Sequence, residues 1–365
     1  MRLGVEAALV DGELVPGDVE VADGAFAGYG LAAANGKGIA VPGFVDLQVN
    51  GFAGVDFLGA GADGYGRAGE ALLETGVTAY LPTFITAPEP QLVDALHTVP
   101  RTSASGPRIL GVHLEGPFLS ARRLGAHPPA GRRDPDLALA ARLLEAGPVV
   151  LMTIAPELGG APELVTFLQG RGIVVSCGHS DAGAAEAHRV FDQGVATVTH
   201  LFNAMRPLEH RDPGIVGAAL ARPDVVVQII VDGVHLAPEV VQVVWRAAAG
   251  RVALVTDAIA AAGAGDGEFR IGDVEVDVRD GVARRTADGI LAGSALTMID
   301  AVRNLHALGV PLARALDAAS SVPARVLGSA TAGRIARGAP ADVVVLDDEL
   351  QIDRVLVGGA TRVAA

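Results

Sequence analysis

Residues 176–205 read SCGHSDAGAAEAHRVFDQGVATVTHLFNAM, and the fold turns on them. Two apolar, β-branched runs, 173–177 and 197–201, end at His179 and His200 and predict strands. Between them, residues 181–193 predict a helix, with a polar start and Gly194 as its stop. Strand, helix and strand in succession form the βαβ unit of a parallel sheet. Such folds build their sites at the carboxyl ends of the strands, so the two imidazoles are expected side by side on that face.

Working outward, residues 42–332 hold eight candidate strands: 44–48, 79–83, 109–114, 149–155, 173–177, 197–201, 225–231 and 252–256. Most gaps carry a helical pattern, as at 66–74, 137–144, 162–168 and 238–248. Buried-type strands alternating with helices predict an α/β fold, a (β/α)8 TIM-like barrel. Residues 267–280 alternate around Gly272-Asp273 and predict a β-hairpin inserted after the eighth strand. Residues 1–41 are punctuated by Asp11-Gly12, Pro16-Gly17 and Asp23-Gly24, and residues 333–365 repeat this β-rich style. We expect 1–41 and 333–365 to form a small β-sandwich domain from both termini, with 42–332 as the barrel.

The chain has 365 residues, half of them hydrophobic, enough for a large core and an accessory domain. A net charge of −14 without a basic run argues against nucleic acid or an anionic membrane as partner. Cys177 is the single cysteine, which excludes an internal disulfide and fits a reducing compartment. The N-terminal segment lacks a long apolar run, and no uncharged apolar run of membrane-spanning length occurs. These features predict a cytoplasmic protein without signal peptide or membrane span.

A barrel gathers its strand ends around one mouth. There the sequence places Gln48 and Asn50 after the first strand, Thr83 after the second, Glu115 after the third and Glu157 after the fourth. His179, His200, Asp232 with His235, and Asp257 follow strands five to eight. One glutamate and two neutral imidazoles suit a divalent metal of borderline hardness, with room left for water. Such a metal makes hydroxide available near neutral pH, and an aspartate on the last strand can take the proton and pass it on. Singly, each residue has a plainer reading. A strand-end histidine is commonly a satisfied polar group, and Asp257 could cap a helix. The combination on neighbouring strands is what points to a metal. His113 is expected to face away from Glu115 and to be structural. His97, His188, His210 and His306 are read as surface or packing residues, and Cys177 as a buried thiol rather than a nucleophile.

PGFVDLQVNG (42–51), LPTFIT (81–86), GVHLEGPFLS (111–120), GAHPP (125–129), GHSDA (178–182), THLFNAM (199–205), VDGVHLAP (231–238), VTDAIAAAG (255–263) and LAGSALTMIDAVRNL (291–305) occur in this order. Together they resemble the N-acetylglucosamine-6-phosphate deacetylase family, a branch of the amidohydrolase superfamily. PGFVD alone recurs across amidohydrolases, whereas HLEGPF, GAHP and HLFNAM in order are specific. The resemblance implies hydrolysis of a phosphorylated N-acetyl amino sugar, with Glu115, His179 and His200 as metal ligands. It implies Asp257 as general base and then acid, and His127 as donor to the amide carbonyl. Ala126, Asn203, Ala204 and Asp232 would contact substrate, His235 and Arg211 its phosphate, and Leu291, Ala292 and Gly293 the sugar. Gln48 and Asn50 stand where many amidohydrolases carry His-x-His for a second metal, so one divalent ion per chain is expected: zinc first, with iron, manganese or cobalt as alternatives. The resemblance also implies a homodimer in which Arg211 acts in the partner's pocket. Two rivals stay open: an amidohydrolase acting on another N-acyl substrate, such as a different N-acetylhexosamine phosphate or an acylated amino acid, and a catalytically dead scaffold.

Overall fold

The computed structural model describes residues 1–32, 35–101 and 106–364. Eight parallel strands follow the chain in order: β1 (Phe44–Val49), β2 (Val77–Ile85), β3 (Val112–Glu115), β4 (Val149–Ile154), β5 (Val174–Cys177), β6 (Thr197–Val198), β7 (Val226–Ile229) and β8 (Val252–Leu254). Each pairs with its successor. The barrel closes where the Asp257 amide donates to Gln48 O at 3.0 Å and the Asn50 amide donates to Ala258 O at 2.7 Å. β1 and β2 are buried along their whole length, as a sheet covered on both faces requires.

Polar side chains cross the barrel below the mouth. His113 Nε2 pairs with Thr153 Oγ1 at 2.7 Å, Thr153 with Thr199 at 2.7 Å, and Thr199 with Ser176 at 2.6 Å. His113 Nδ1 reaches Leu47 O at 3.1 Å across the barrel. This corrects the expected orientation of His113. Residues two apart in a strand share a face, so His113 lies on the Glu115 side, one layer deeper.

The expected βαβ unit is present, with its helix, α1, running from Ala184 to Asp192. Residues 181–183 are a lead-in, and the Gly183 amide donates to Glu186 Oε2 at 2.8 Å, a capping contact. Gly194, at φ 94°, follows the helix end. β6 stops at Val198 rather than 201, because the chain turns sharply to bring His200 to the mouth. The segment after β8 holds three antiparallel strands, not two: Gly267–Ile271, Val274–Arg279 and Val282–Arg285. The third was missed because its VARR sequence carries little hydrophobic alternation.

Both termini share one six-stranded sheet. Ile39–Pro42 pairs antiparallel with Val343–Leu346, and Ala7–Val10 lies beside Ile39–Pro42. Asp18–Ala22 and Ala25–Leu31 form a hairpin against it, and Leu3, Val19, Val21, Phe26, Val343 and Leu356 belong to their own small core. This is the small sandwich beside the barrel. Arg108 joins the two through a fork onto Asp342, at 2.6 and 3.1 Å.

Candidate active site

The mouth of the barrel holds a cavity of about 260 Å³. One wall is polar, with Asn50, Glu115, His127, His179, His200, His235 and Asp257. The other is apolar, with Ile85, Ile271, Val274, Ile290 and Leu291. Among the described residues, no Lys or Arg lines it.

Tight turns deliver the polar wall. His179, His200, Phe202, Ala204 and Asp257 hold left-handed φ angles of 47°, 25°, 78°, 50° and 51°. Side chains there cost about 1–3 kcal/mol each and persist only where neighbours over-determine them. Here they do: the Ser120 amide donates to His179 O, the Asn203 amide to His200 O, and the Ser180 amide to Ala204 O. Glu157, at the end of β4, accepts from Ser180 Oγ at 2.8 Å and from the Asp181 amide at 2.7 Å, so it braces the His179 turn.

Glu115, His179 and His200 bring three buried ligand atoms within 4.8 Å of one another. His179 Nε2 and His200 Nε2 stand 3.0 and 2.9 Å from Glu115 Oε1 and 3.1 Å apart. His179 Nδ1 lies 3.0 Å from Arg123 O, an acceptor, so Nδ1 carries the proton and Nε2 keeps its lone pair. An Nε2 lone pair beside a carboxylate and a second imidazole fits a divalent metal. Burial raises the Glu115 pKa, yet the His127 and His179 rings, whenever they carry a proton, outweigh it and hold the carboxyl well below the usual range. His200 moves the other way: burial lowers its pKa, but Glu115 beside it produces a net rise.

His127 completes the polar wall. The Thr86 amide donates to its Nδ1 at 3.2 Å, so the neutral ring carries its proton on Nε2, 3.3 Å from Glu115 Oε2. Burial, with the nearby His179, lowers its pKa to about 4 and keeps it neutral. Asp257 faces this group from β8. Gln48 Nε2 and Asn50 Nδ2 donate to its Oδ1 at 3.0 and 2.7 Å, and Gln48 Nε2 also reaches Glu115 Oε1 at 2.9 Å. Burial and the Glu115 charge raise the Asp257 pKa to about 6, near the working range of a proton carrier.

The other expected residues separate. Ala126, Asn203, Ala204, His235, Leu291 and Gly293 line the cavity. Asp232 sits behind His235 and accepts from its Nδ1 at 2.7 Å, which fixes the ring. Ala292 is fully buried, and Arg211 is exposed; neither is on the cavity wall of this chain. Thr83 Oγ1 accepts from the Val49 amide, below the mouth. The apolar wall was not foreseen. Ile271 and Val274 come from the three-stranded insert, where they face each other as a cross-strand pair. Arg285 of the same insert donates to Ala126 O at 3.2 Å and braces the loop that carries His127. Sequence periodicity marks Ile271 and Val274 as apolar but says nothing of which surface the insert meets.

The profile of the Amidohydrolase family matches residues 39–362. N-acetylglucosamine-6-phosphate deacetylase of Homo sapiens is 40% identical over 301 residues, 79% of this chain and 74% of that protein. N-acetylgalactosamine-6-phosphate deacetylase of Escherichia coli O157:H7 is 37% identical, covering 78% of this chain and 77% of that protein. A solved structure of a Mycobacterium smegmatis N-acetyl-D-glucosamine-6-phosphate deacetylase mutant, in complex with N-acetyl-D-glucosamine-6-phosphate, superposes with a TM-score of 0.95. It is 37% identical and covers 100% of this chain and 99% of that one. With this similarity running through the barrel and the small sandwich alike, the chain belongs to the amidohydrolase family, in its N-acetylglucosamine-6-phosphate deacetylase branch.

Proposed function

We propose that the chain hydrolyses N-acetylglucosamine 6-phosphate to glucosamine 6-phosphate and acetate. The convergence of Glu115, His179 and His200 opposite Asp257, in one cavity, carries this reading. Glu115, His179 and His200 would hold one divalent metal, zinc first among the candidates. When bound, it supplies Lewis-acid activation of water and of the amide carbonyl. Asp257 takes the proton from the attacking water and returns it to the leaving nitrogen. His127, with its proton on Nε2, donates to the acetyl oxygen as negative charge develops there. Gln48 and Asn50 spend their amide donors on Asp257 and Glu115. Amide groups are poor transition-metal ligands, so a second tightly held ion is not expected.

His235, fixed by Asp232, and the turn at Asn203 and Ala204 meet the phosphate end, while Leu291 and Gly293 border the sugar. A dianionic phosphate needs fixed cationic donors. The cavity wall supplies none among the described residues, and Arg211 lies exposed off it. This supports a homodimer in which Arg211 enters the partner's cavity.

N-acetylgalactosamine 6-phosphate, the C4 epimer, is a second reading, favoured by the 37% identical relative that acts on it. Acetate release from both phosphosugars, from unphosphorylated N-acetylglucosamine and from an N-acetyl amino acid tests the set. N-acetylglucosamine 6-phosphate should give the highest kcat/KM. Faster turnover of the N-acetyl amino acid would contradict it.

A further inference from the structure

Asp257 works from a left-handed backbone, and three residues that do not line the cavity hold it there. Asp46, fully buried on β1, accepts from the Thr256 hydroxyl at 2.6 Å, the Thr256 amide at 3.3 Å and the Gln48 amide at 3.2 Å. The Thr256 hydroxyl in turn accepts from the Ala258 amide at 3.1 Å. From the far side, Ser294 Oγ donates to Thr256 O at 2.6 Å, and the Ser294 amide donates to Asp257 O at 2.9 Å. Both peptide units that flank Asp257 are therefore gripped from β1 and from the 291–294 turn. The same Asp46 fixes the Gln48 amide, and Gln48 places its side chain on Asp257.

We infer that Asp46, Thr256 and Ser294 are positioning residues for the proton transfer, acting by holding Asp257 in this conformation. The inference rests on Asp257 being the proton carrier. The Asp257 carboxyl is aimed by this left-handed backbone together with the Gln48 and Asn50 donors, so a relaxed turn would set the backbone against them. A misplacement of about 1 Å is enough to cost on the order of 100-fold in rate. Thr256 is the hub, since its single hydroxyl both donates to Asp46 and accepts from Ala258.

The test compares Thr256→Val, Thr256→Ser, Ser294→Ala and Asp257→Asn in the full-length, metal-loaded chain. Thr256→Val and Ser294→Ala should keep about one metal and a KM for N-acetylglucosamine 6-phosphate within about twofold, while kcat falls roughly 10- to 100-fold. Thr256→Ser should restore most of kcat. A folded Ser294→Ala variant with wild-type kcat overturns the inference. So does a parallel loss of metal, KM and thermal stability, or a Thr256→Ser variant no better than Thr256→Val. Should Thr256→Val fail to fold, Ser294→Ala decides, because it removes the Oγ contacts with Thr256 O and Leu296 N and keeps the backbone bonds from the Ser294 amide to Asp257 O and from the Ile259 amide to Ser294 O. Asp257→Asn separates the layers. High activity there overturns Asp257 as proton carrier. Loss there with undiminished kcat in Ser294→Ala overturns only the positioning role.

Discussion

At the scale of single residues, protons and the proposed metal would compete for the same atoms. His200 has a raised pKa because Glu115 lies 2.9 Å from its Nε2, and that nitrogen must be unprotonated to bind a metal. Metal affinity should therefore fall steeply as the pH drops below neutrality. Equilibrium dialysis of one divalent ion between pH 5 and 8 checks this, and a flat profile would speak against His200 as a ligand. His179→Ala and His200→Ala should each remove most bound metal and nearly all acetate release, read by elemental analysis alongside activity. Asp257→Asn keeps the shape but loses the base, so metal should stay while kcat drops by roughly 10²–10⁴. The meeting of these residues at one mouth was legible in the sequence because strand-end chemistry is local: a β-branched run followed by His or Asp is visible without a fold. The supports of His127 and His179 were not legible. They are backbone groups, Thr86 N and Arg123 O, and any residue type supplies those.

At the scale of elements, Asp46 ties β1 to the segment after β8 at the barrel seam. Burial raises its pKa to about 7, so folding favours its protonated form. A carboxyl raised on folding contributes fully below its unfolded value near 4 and loses that contribution as pH rises through 7. Asp46→Asn replaces it with a group that does not titrate. The stability of the native chain relative to this variant should thus decline by a few kcal/mol between pH 4 and 7 and then level off. Urea unfolding at each pH measures it, and a difference independent of pH would contradict the assignment. The three-stranded insert is a second element at the site, lending Ile271 and Val274 to the cavity wall. Ile271→Asp would put a charge on the apolar wall, and it should raise KM severalfold with metal content unchanged. The insert's strands were partly readable from alternation, but its role depends on contacts such as the Gly272 amide to Asp56 at 2.7 Å, 216 residues away in sequence. Pairings of that range leave no trace in local periodicity.

At the scale of the whole molecule, the eight-strand pattern announced the barrel, because parallel strands buried on both faces read as near-continuous apolar runs, broken here only by polar side chains that bond to one another inside the barrel. The joining of the two termini rests on the register of Ile39–Pro42 against Val343–Leu346, which composition suggests but cannot align. A net charge of −14 repels a dianionic substrate at long range, so the proposed cationic clamp must act close by. Arg211→Ala should raise KM for the phosphorylated sugar by roughly tenfold or more and leave the unphosphorylated sugar nearly unaffected. Mixed dimers of Arg211→Ala and Asp257→Asn chains should regain one working site out of two. Without rescue in subunits shown to exchange, the clamp does not act between chains. One divalent ion per chain should be enough for full acetate release, and a metal titration checks this. Chelated protein receives one divalent ion in measured steps while acetate release from N-acetylglucosamine 6-phosphate is followed. Acetate release should rise linearly and stop rising at one equivalent per chain. A rise that continues to two equivalents, or a loaded enzyme that releases no acetate, would contradict it.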